Sequence, residues 1–108
     1  IYEINDDEKF DGVSFITDKG NPIIIVNKNF SNDRKRFTIA HELGHILMHN
    51  ENNFPISSYR DKEKEANQFA SEFLMPTVGC WNLTAQQIKE RYGVSNKAAQ
   101  IKFEQLNK

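Results

Sequence analysis

The residues of this chain best suited to chemistry lie in one short stretch, where His41 and His45 flank Glu42. Histidines four residues apart lie on one face of a helix, about one turn apart, so both imidazoles can bind a single metal ion. Glu42 is rotated by ~100° about the helix axis from His41, which places it beside such an ion. A base in that position can take a proton from a metal-bound water. Zinc suits the set because it accepts imidazole and carboxylate donors and keeps a position open for water.

The surrounding sequence makes these polar residues informative. Residues 33–50 are predicted to form a helix, with its N-cap among Ser31, Asn32 and Asp33. From Phe37 onward its apolar residues cover nearly the whole circumference, so we expect a central, buried helix. Two histidines and a glutamate inside it cost stability unless something pairs them, and a metal ion does so. The alternative interpretation is two structural histidines without a metal.

A third protein ligand is expected from a second helix, predicted over residues 61–75. Its candidate donors are Glu63, Glu65 and Glu72. Glu63 is favoured because Asn67 shares its face one turn later and can hold the carboxylate or a histidine ring. Glu65 is the second choice, and the alternative for all three is a solvated carboxylate.

Three other residues are weaker candidates for the site. His49 lies ~12 Å along a straight helix from position 41, so we interpret it as structural or as a residue that supports a ligand. Cys80 follows a proline in a predicted loop and is a minor alternative as a ligand. Tyr59 is a candidate donor to a developing oxyanion, although a packed or solvent-facing tyrosine is the simpler interpretation.

Two strands are predicted ahead of the histidine-bearing helix, at residues 10–17 and 23–27. Turn residues around Gly20 and Pro22 favour an antiparallel hairpin between them. Residues 1–9 are polar and expected to be an irregular lead-in. The second strand can pair with an extended substrate if it lies at the sheet edge, or it can be a central core strand; its apolar character does not decide.

The C-terminal part is predicted to be helical. Residues 77–82 are expected to be a connector, followed by a helix from Thr84 to the stop at Gly93 and another capped by Ser95 or Asn96. We interpret residues 83–108 as a helical pair packed on the core. A DNA-binding helix-turn-helix is the alternative, which the scarcity of base-reading side chains disfavours.

Composition limits the function classes. The 108 residues are expected to form one domain, and 14 basic against 15 acidic residues give a net charge of −1, so direct nucleic-acid binding is not expected. One cysteine excludes an internal disulfide framework and favours a reducing compartment. The apolar runs fall far short of the ~20 residues that cross a bilayer, and no signal peptide is visible. Because the chain starts with isoleucine, we expect a piece of a longer protein.

Two motifs together resemble one family. RFTIAHELGH at residues 36–45 and EKEANQFASEFLMP at residues 63–76 resemble the ImmA/IrrE zinc metallopeptidases, with similarity over about residues 10–106. In that family the third ligand is a Glu four residues before the Asn of the second motif, which lands on Glu63. The predicted elements make an α+β fold, and the resemblance implies a small antiparallel sheet packed on the buried active-site helix, with further helices toward the C-terminus.

The resemblance also implies a biological setting. Family members are intracellular bacterial or phage proteins that cleave a helix-turn-helix transcriptional repressor, so a cytoplasmic location and a fused or neighbouring repressor partner are expected. The expected mechanism uses Zn²⁺ bound by His41, His45 and Glu63, with Glu42 as the base. The alternative is a zinc-binding regulatory or sensor domain without turnover. The presence of Glu42 argues against it, because a closed structural site needs no base.

Overall fold

The strands form a small mixed sheet beside the histidine-bearing helix. A computed structural model describes residues 1–5, 10–49 and 59–108. Within them the strands are β1 (Tyr2–Ile4), β2 (Gly12–Ile16) and β3 (Pro22–Asn27). The order is β1-β3-β2, with β3 antiparallel to β2 and parallel to β1. The α+β class and the hairpin are confirmed.

One expectation about the sheet needs correction. Residues 2–4, expected to be irregular, pair in parallel with β3, so the sheet is mixed rather than purely antiparallel. Tyr2 and Ile4 alternate around Glu3, which is a strand pattern too short to be recognised among polar neighbours. The sequence left open whether β3 lies at an edge or at the centre; in the structure β3 is the central strand, whereas β2 lies at an edge among the described strands.

Helix α1 (Asn32–Met48) carries the two histidines and packs against β2 and β3. Its N-cap is Ser31, whose hydroxyl accepts the Arg34 N–H. The expectation that α1 is buried on all sides is wrong, because Leu47 is half exposed. Its buried positions are small or polar and lie on two roughly opposite sides of the helix, with Thr38 and Glu42 on the side toward β2 and with Ala40 and Gly44 on the other.

The basic first turn of α1 has a tertiary explanation. Arg34 forms an ion pair of 2.6 Å with Asp11, immediately before β2, and its guanidinium lies 3.7 Å from the centre of the Phe30 ring. Lys35 pairs with Glu3 of β1 at 3.0 Å. These contacts hold the start of the helix against the strands. They also offset the unfavourable interaction of the basic side chains with the helix dipole.

Helix α2 (Tyr59–Leu74) carries the predicted third ligand. Ala66 and Ala70 are completely buried, whereas Phe73 is 58% exposed. A methyl group built on Gly44 of α1 would lie only 3.0 Å from the Phe69 ring. The absence of a side chain at Gly44 therefore allows α1 and α2 to pack closely.

The chain divides into two compact units, residues 1–70 and 71–108. The second contains α3 (Thr77–Cys80), α4 (Ala85–Tyr92) and α5 (Asn96–Leu106) around its own core of Met75, Cys80, Ile88, Val94 and Ala99. The predicted caps are present: Thr84 makes a capping box, Gly93 is left-handed and Ser95 caps α5. Residues 77–80, expected to be a connector, form a single helical turn.

The burial of α5 does not follow its apolar residues alone. Ile101 is 44% exposed, whereas Ala99 and Lys102 are buried. Lys102 is buried because its ammonium group pairs with the Glu72 carboxylate at 3.0 Å. A lysine in a helical pattern is normally an outward position, so the local sequence does not indicate that Lys102 is buried. Among the described residues, no helix combines the length and apolarity that a membrane crossing requires.

Candidate metal centre

Three side chains from two helices converge on one point. His41 Nε2 lies 2.6 Å from Glu63 Oε2, and His45 Nε2 lies 3.1 Å from both of these atoms. The imidazoles come from successive turns of α1 and meet edge-on, with ring centres 4.7 Å apart. The carboxylate comes from the first turns of α2. The positions singled out in the sequence, His41, His45 and Glu63, are therefore brought together.

The donor set suits a divalent metal such as zinc. In a tetrahedral site with bonds of about 2.0–2.1 Å, neighbouring donor atoms lie roughly 3.4 Å apart, close to the separations in this triangle. The chemistry of two imidazole nitrogens and one carboxylate oxygen is also that of zinc sites with an open position. His41, Glu42 and His45 offer donor atoms that all lie within 4.8 Å of one another.

Glu42 adjoins the triangle without belonging to it. Its Oε2 is 4.0 Å from His41 Nε2, and its side chain is only 12% exposed. The other oxygen, Oε1, accepts a hydrogen bond of 2.6 Å from the Ser14 hydroxyl of β2. One carboxylate oxygen is thus fixed by the sheet, while the second is directed toward the two imidazoles.

The remaining nitrogen of His41 is also engaged. His41 Nδ1 lies 2.7 Å from Asn67 Oδ1. An amide oxygen can only accept, so Nδ1 carries the proton and Nε2 presents its lone pair to the triangle. The prediction that Asn67 holds a histidine ring agrees with this contact. Glu63 and Asn67, one turn apart on α2, therefore supply one donor atom and one orienting contact.

His49 contacts the second histidine rather than the centre of the triangle. His49 Nδ1 is 2.9 Å from His45 Nδ1, and His49 Nε2 is 3.3 Å from Glu65 Oε1. This position agrees with the interpretation of His49 as a residue that supports a ligand. Glu65, the second choice for the third ligand, contacts His49 and not the triangle of donor atoms.

Two clefts give access to the donor atoms. The larger, of about 870 Å³, is lined by residues 12–18 of β2 and its turn together with Glu42, His45 and Glu63. The smaller, of about 440 Å³, is lined by Asp11, Arg34 and the side chains around His41. Since Glu42 and Glu63 line both clefts, the site is open to a ligand lying across the edge of β2.

Two other sequence candidates have different partners. Glu72 accepts hydrogen bonds from the Thr77 N–H and hydroxyl and pairs with Lys102. Burial would raise its pKa, but the Thr77 hydrogen bonds and the Lys102 charge outweigh this and lower the pKa of Glu72 to about 2. Burial raises the pKa of the Cys80 thiol in the core of the second unit, which disfavours the thiolate that a metal requires. The side chain of Tyr59 lies outside the described residues.

Among the described residues, Ser14 belongs to this site although the sequence did not suggest it. It lies 28 positions before Glu42 and belongs to no motif. The only available signal is the alternation in β2, where Ser14 lies between the exposed Val13 and Phe15 and so faces the other side of the sheet, toward α1.

Comparison with known proteins agrees with the geometry. The sequence model of the peptidase M78 family, described as an IrrE N-terminal-like domain, matches residues 3–104. The matched segment includes α1 and α2, which carry the donor atoms. A comparison with curated proteins finds none that matches this chain.

Proposed function

This chain belongs to the peptidase M78 family, and on that basis we propose that it is a zinc-dependent metallopeptidase. The proposed metal ligands are His41, His45 and Glu63, and the proposed general base is Glu42. The observation that carries the proposal is the convergence of two imidazole nitrogens and one carboxylate oxygen within 3.1 Å, with a second carboxylate beside them. A site that only held a metal would have no use for that second carboxylate.

The orientation of the donors supports the proposal. The Nδ1 atoms of His41 and His45 are occupied by Asn67 and His49, so both Nε2 atoms are turned toward Glu63. Ligand rings held in this way by outer contacts are typical of built metal sites. Zinc, when bound, acidifies a water at its open position and polarises the carbonyl of a peptide bond.

Glu42 then carries out the proton transfers. Glu42 Oε2 takes a proton from the water as the water oxygen bonds to the scissile carbonyl carbon. The same carboxyl gives that proton to the departing amine nitrogen as the carbon–nitrogen bond breaks, so one water is consumed for each bond cut. Ser14 holds Oε1 at 2.6 Å, which keeps Oε2 directed toward the imidazoles throughout. The reaction needs no reactant other than the peptide and this water.

We expect the substrate to be an extended peptide that pairs with β2. Hydrogen bonds from Thr17 to Asn21 and from Asn27 to Asp11 show that odd-numbered residues of β2 and its flanks bond toward β3. Because strand hydrogen bonding alternates, the main-chain groups of Gly12, Ser14 and Ile16 are directed toward the edge at which no described strand pairs. A peptide added at this edge would pass beside Glu42.

The finer identity of the substrate follows from the resemblance to ImmA/IrrE peptidases. We propose that the natural substrate is a helix-turn-helix transcriptional repressor, fused to this chain or encoded beside it. In that setting the enzyme is bacterial or phage-encoded and acts in the cytoplasm on transcription regulation. Pairing with an extended segment favours cleavage in a linker or a locally unfolded part of the repressor, since a helix cannot add to a sheet edge.

The experiment is digestion of a complex peptide library by the zinc-loaded protein, with new termini identified by mass spectrometry. Glu42→Gln is the matched control, because it keeps the shape of the side chain and removes its capacity as a base. We expect new termini with the wild-type protein and none with Glu42→Gln, while both proteins bind one equivalent of zinc. The same comparison is then made with a helix-turn-helix repressor encoded beside this chain.

Two outcomes would contradict the proposal. Cleavage that persists in Glu42→Gln would mean that Glu42 is not the base or that a contaminant cuts the peptides. Zinc binding by the wild-type protein with no cleavage of the library or of the repressor would favour the alternative, a zinc-binding regulatory domain without turnover.

A further inference from the structure

His49 occupies a position that the proposed reaction does not by itself explain. It is the C-cap residue of α1, and its backbone N–H donates to the His45 carbonyl at 2.8 Å. Its side chain is only 2% exposed, although imidazole is polar. A buried polar ring is expected to have a hydrogen-bond partner at each nitrogen. Both nitrogens of His49 have one, His45 on one side and Glu65 on the other.

The three side chains form a chain of hydrogen bonds with only one arrangement that suits metal binding. If His45 Nε2 is to present a lone pair, its proton must be on Nδ1, 2.9 Å from His49 Nδ1. His49 Nδ1 must then accept, so the His49 proton is on Nε2, 3.3 Å from Glu65 Oε1. A carboxylate can only accept, which completes the series without an unmatched donor.

We propose that His49 and Glu65 are positioning residues that fix the tautomer and the ring orientation of His45 for metal binding. The inference rests on the proposed function, because it assigns a role behind a ligand of the same site. The two histidine ligands are then oriented by different chemistry. An amide oxygen of Asn67 holds His41, and an imidazole backed by a carboxylate holds His45.

The two positioning residues differ in their exposure to solvent. Glu65 is 42% exposed at its side chain, whereas His49 is enclosed, so the carboxylate is solvated while the bond between the imidazoles is shielded from water. A hydrogen bond in such a site is not exchanged for one to water when it is lost. Removal of the His49 acceptor therefore leaves the His45 Nδ1–H without its partner and frees the ring to rotate or to adopt the other tautomer.

The first test measures zinc affinity by competition with a chromophoric chelator, a readout that needs no substrate. His49→Phe keeps a ring but removes the acceptor, and we expect the zinc dissociation constant to rise by about 10-fold or more. His49→Asn places an oxygen near the position of Nδ1 and should restore affinity to within roughly 3-fold of wild type. Glu65→Gln, on an exposed position, should fall between the two, with Glu104→Gln as the control.

The second test separates positioning from a contribution to folding alone. Long-range ¹H–¹⁵N spectra of the metal-free protein report which nitrogen of each histidine carries the proton. We expect His45 to be protonated at Nδ1 in the wild-type protein, to lose that preference in His49→Phe, and to keep part of it in Glu65→Gln, whose amide oxygen can still accept from His49. A purely structural role would lower the free energy of unfolding without changing either the tautomer or the zinc affinity.

The failures are distinguishable. If the wild-type protein binds no zinc, the proposed function is wrong. If the wild-type protein binds zinc and folded His49→Phe binds it equally tightly, the positioning role alone is wrong. A wild-type His45 that carries its proton on Nε2 would also overturn the inference, because the hydrogen bonds would then run in the opposite direction.

Discussion

Proline at position 16 tests whether a peptide substrate pairs with the edge of β2. Ile16 lies at the end of the strand, is 44% exposed and lines the larger cleft. In the alternation deduced for β2, its N–H is directed away from β3, whereas the N–H of Phe15 is directed toward β3. Proline removes the N–H in either case, so Ile16→Pro and Phe15→Pro should affect opposite sides of the same strand.

The expected magnitudes follow from which hydrogen bonds are lost. Ile16→Pro breaks no bond to β3, so its cost in free energy of unfolding should be about 1 kcal/mol, from the smaller side chain and the fixed φ angle. Phe15→Pro loses a bond within the sheet and should cost roughly 3 kcal/mol. For catalysis, loss of one main-chain bond to the substrate is worth ~1.4 kcal/mol, or about tenfold in kcat/KM.

The assay combines urea denaturation of both variants with cleavage of a peptide that the wild-type protein cuts. Ile16→Val, which keeps the N–H and the branched side chain, is the matched control. We expect Ile16→Pro to remain folded and to cleave at least tenfold more slowly than Ile16→Val. Equal cleavage by these two variants would refute pairing at this edge. Equal destabilisation by Ile16→Pro and Phe15→Pro would refute the alternation on which the reasoning rests.

Three further predictions concern the framework of the site. Gly12→Ala should lower the free energy of unfolding by about 1–3 kcal/mol in urea denaturation. The reason is that the added methyl would lie 2.5 Å from Thr38 Cγ2 and 3.1 Å from the Ile25 carbonyl oxygen. Unchanged stability would mean that β2 shifts freely on α1. Asn67→Leu should weaken zinc binding by about 10-fold in the chelator assay. Asn67→Asp keeps an oxygen acceptor for His41 and should therefore keep the wild-type zinc affinity. Equal losses of affinity in the two variants would argue that Asn67 does not hold His41 in this way. The pKa of Glu72, about 2 against an ordinary value of 4.5, means that its carboxylate stabilises the folded state above pH 4.5 and that this contribution is lost as the pH falls toward 2. Glu72→Gln should therefore lower the free energy of unfolding by about 1 kcal/mol at pH 7, a small value because the Glu72 side chain is half exposed, and by almost nothing at pH 2. Glu104→Gln is the control. A loss of stability that does not change with pH would contradict the ion-pair explanation.

The local part of the site could be predicted from the sequence because helix geometry depends only on spacing. His41 and His45 share a face in any regular helix, and Glu42 must then lie beside it. Glu63 required more, since α2 offers three acidic residues; Asn67 one turn later favoured Glu63 among them, and the family resemblance supported that choice. The structure places that one 2.6 Å from His41 Nε2 and gives Glu65 and Glu72 other partners.

What could not be predicted depends on contacts between distant segments. The order β1-β3-β2 depends on the pairing of β1 with β3, between residues 23 positions apart, and no local pattern states which strand lies at the edge. Ser14 was missed for the same reason, because its contact with Glu42 exists only once β2 is placed on α1. The burial of Lys102 depends on Glu72, thirty residues earlier, and so no local pattern in α5 indicates it.

X-ray diffraction at the zinc absorption edge, from crystals of the zinc-loaded protein, tests the central claim most directly. We expect one anomalous peak bonded to His41 Nε2, His45 Nε2 and a Glu63 carboxylate oxygen, with a further position held by solvent. A peak at another place in the chain, or an ion enclosed by four protein donors without a solvent ligand, would contradict it.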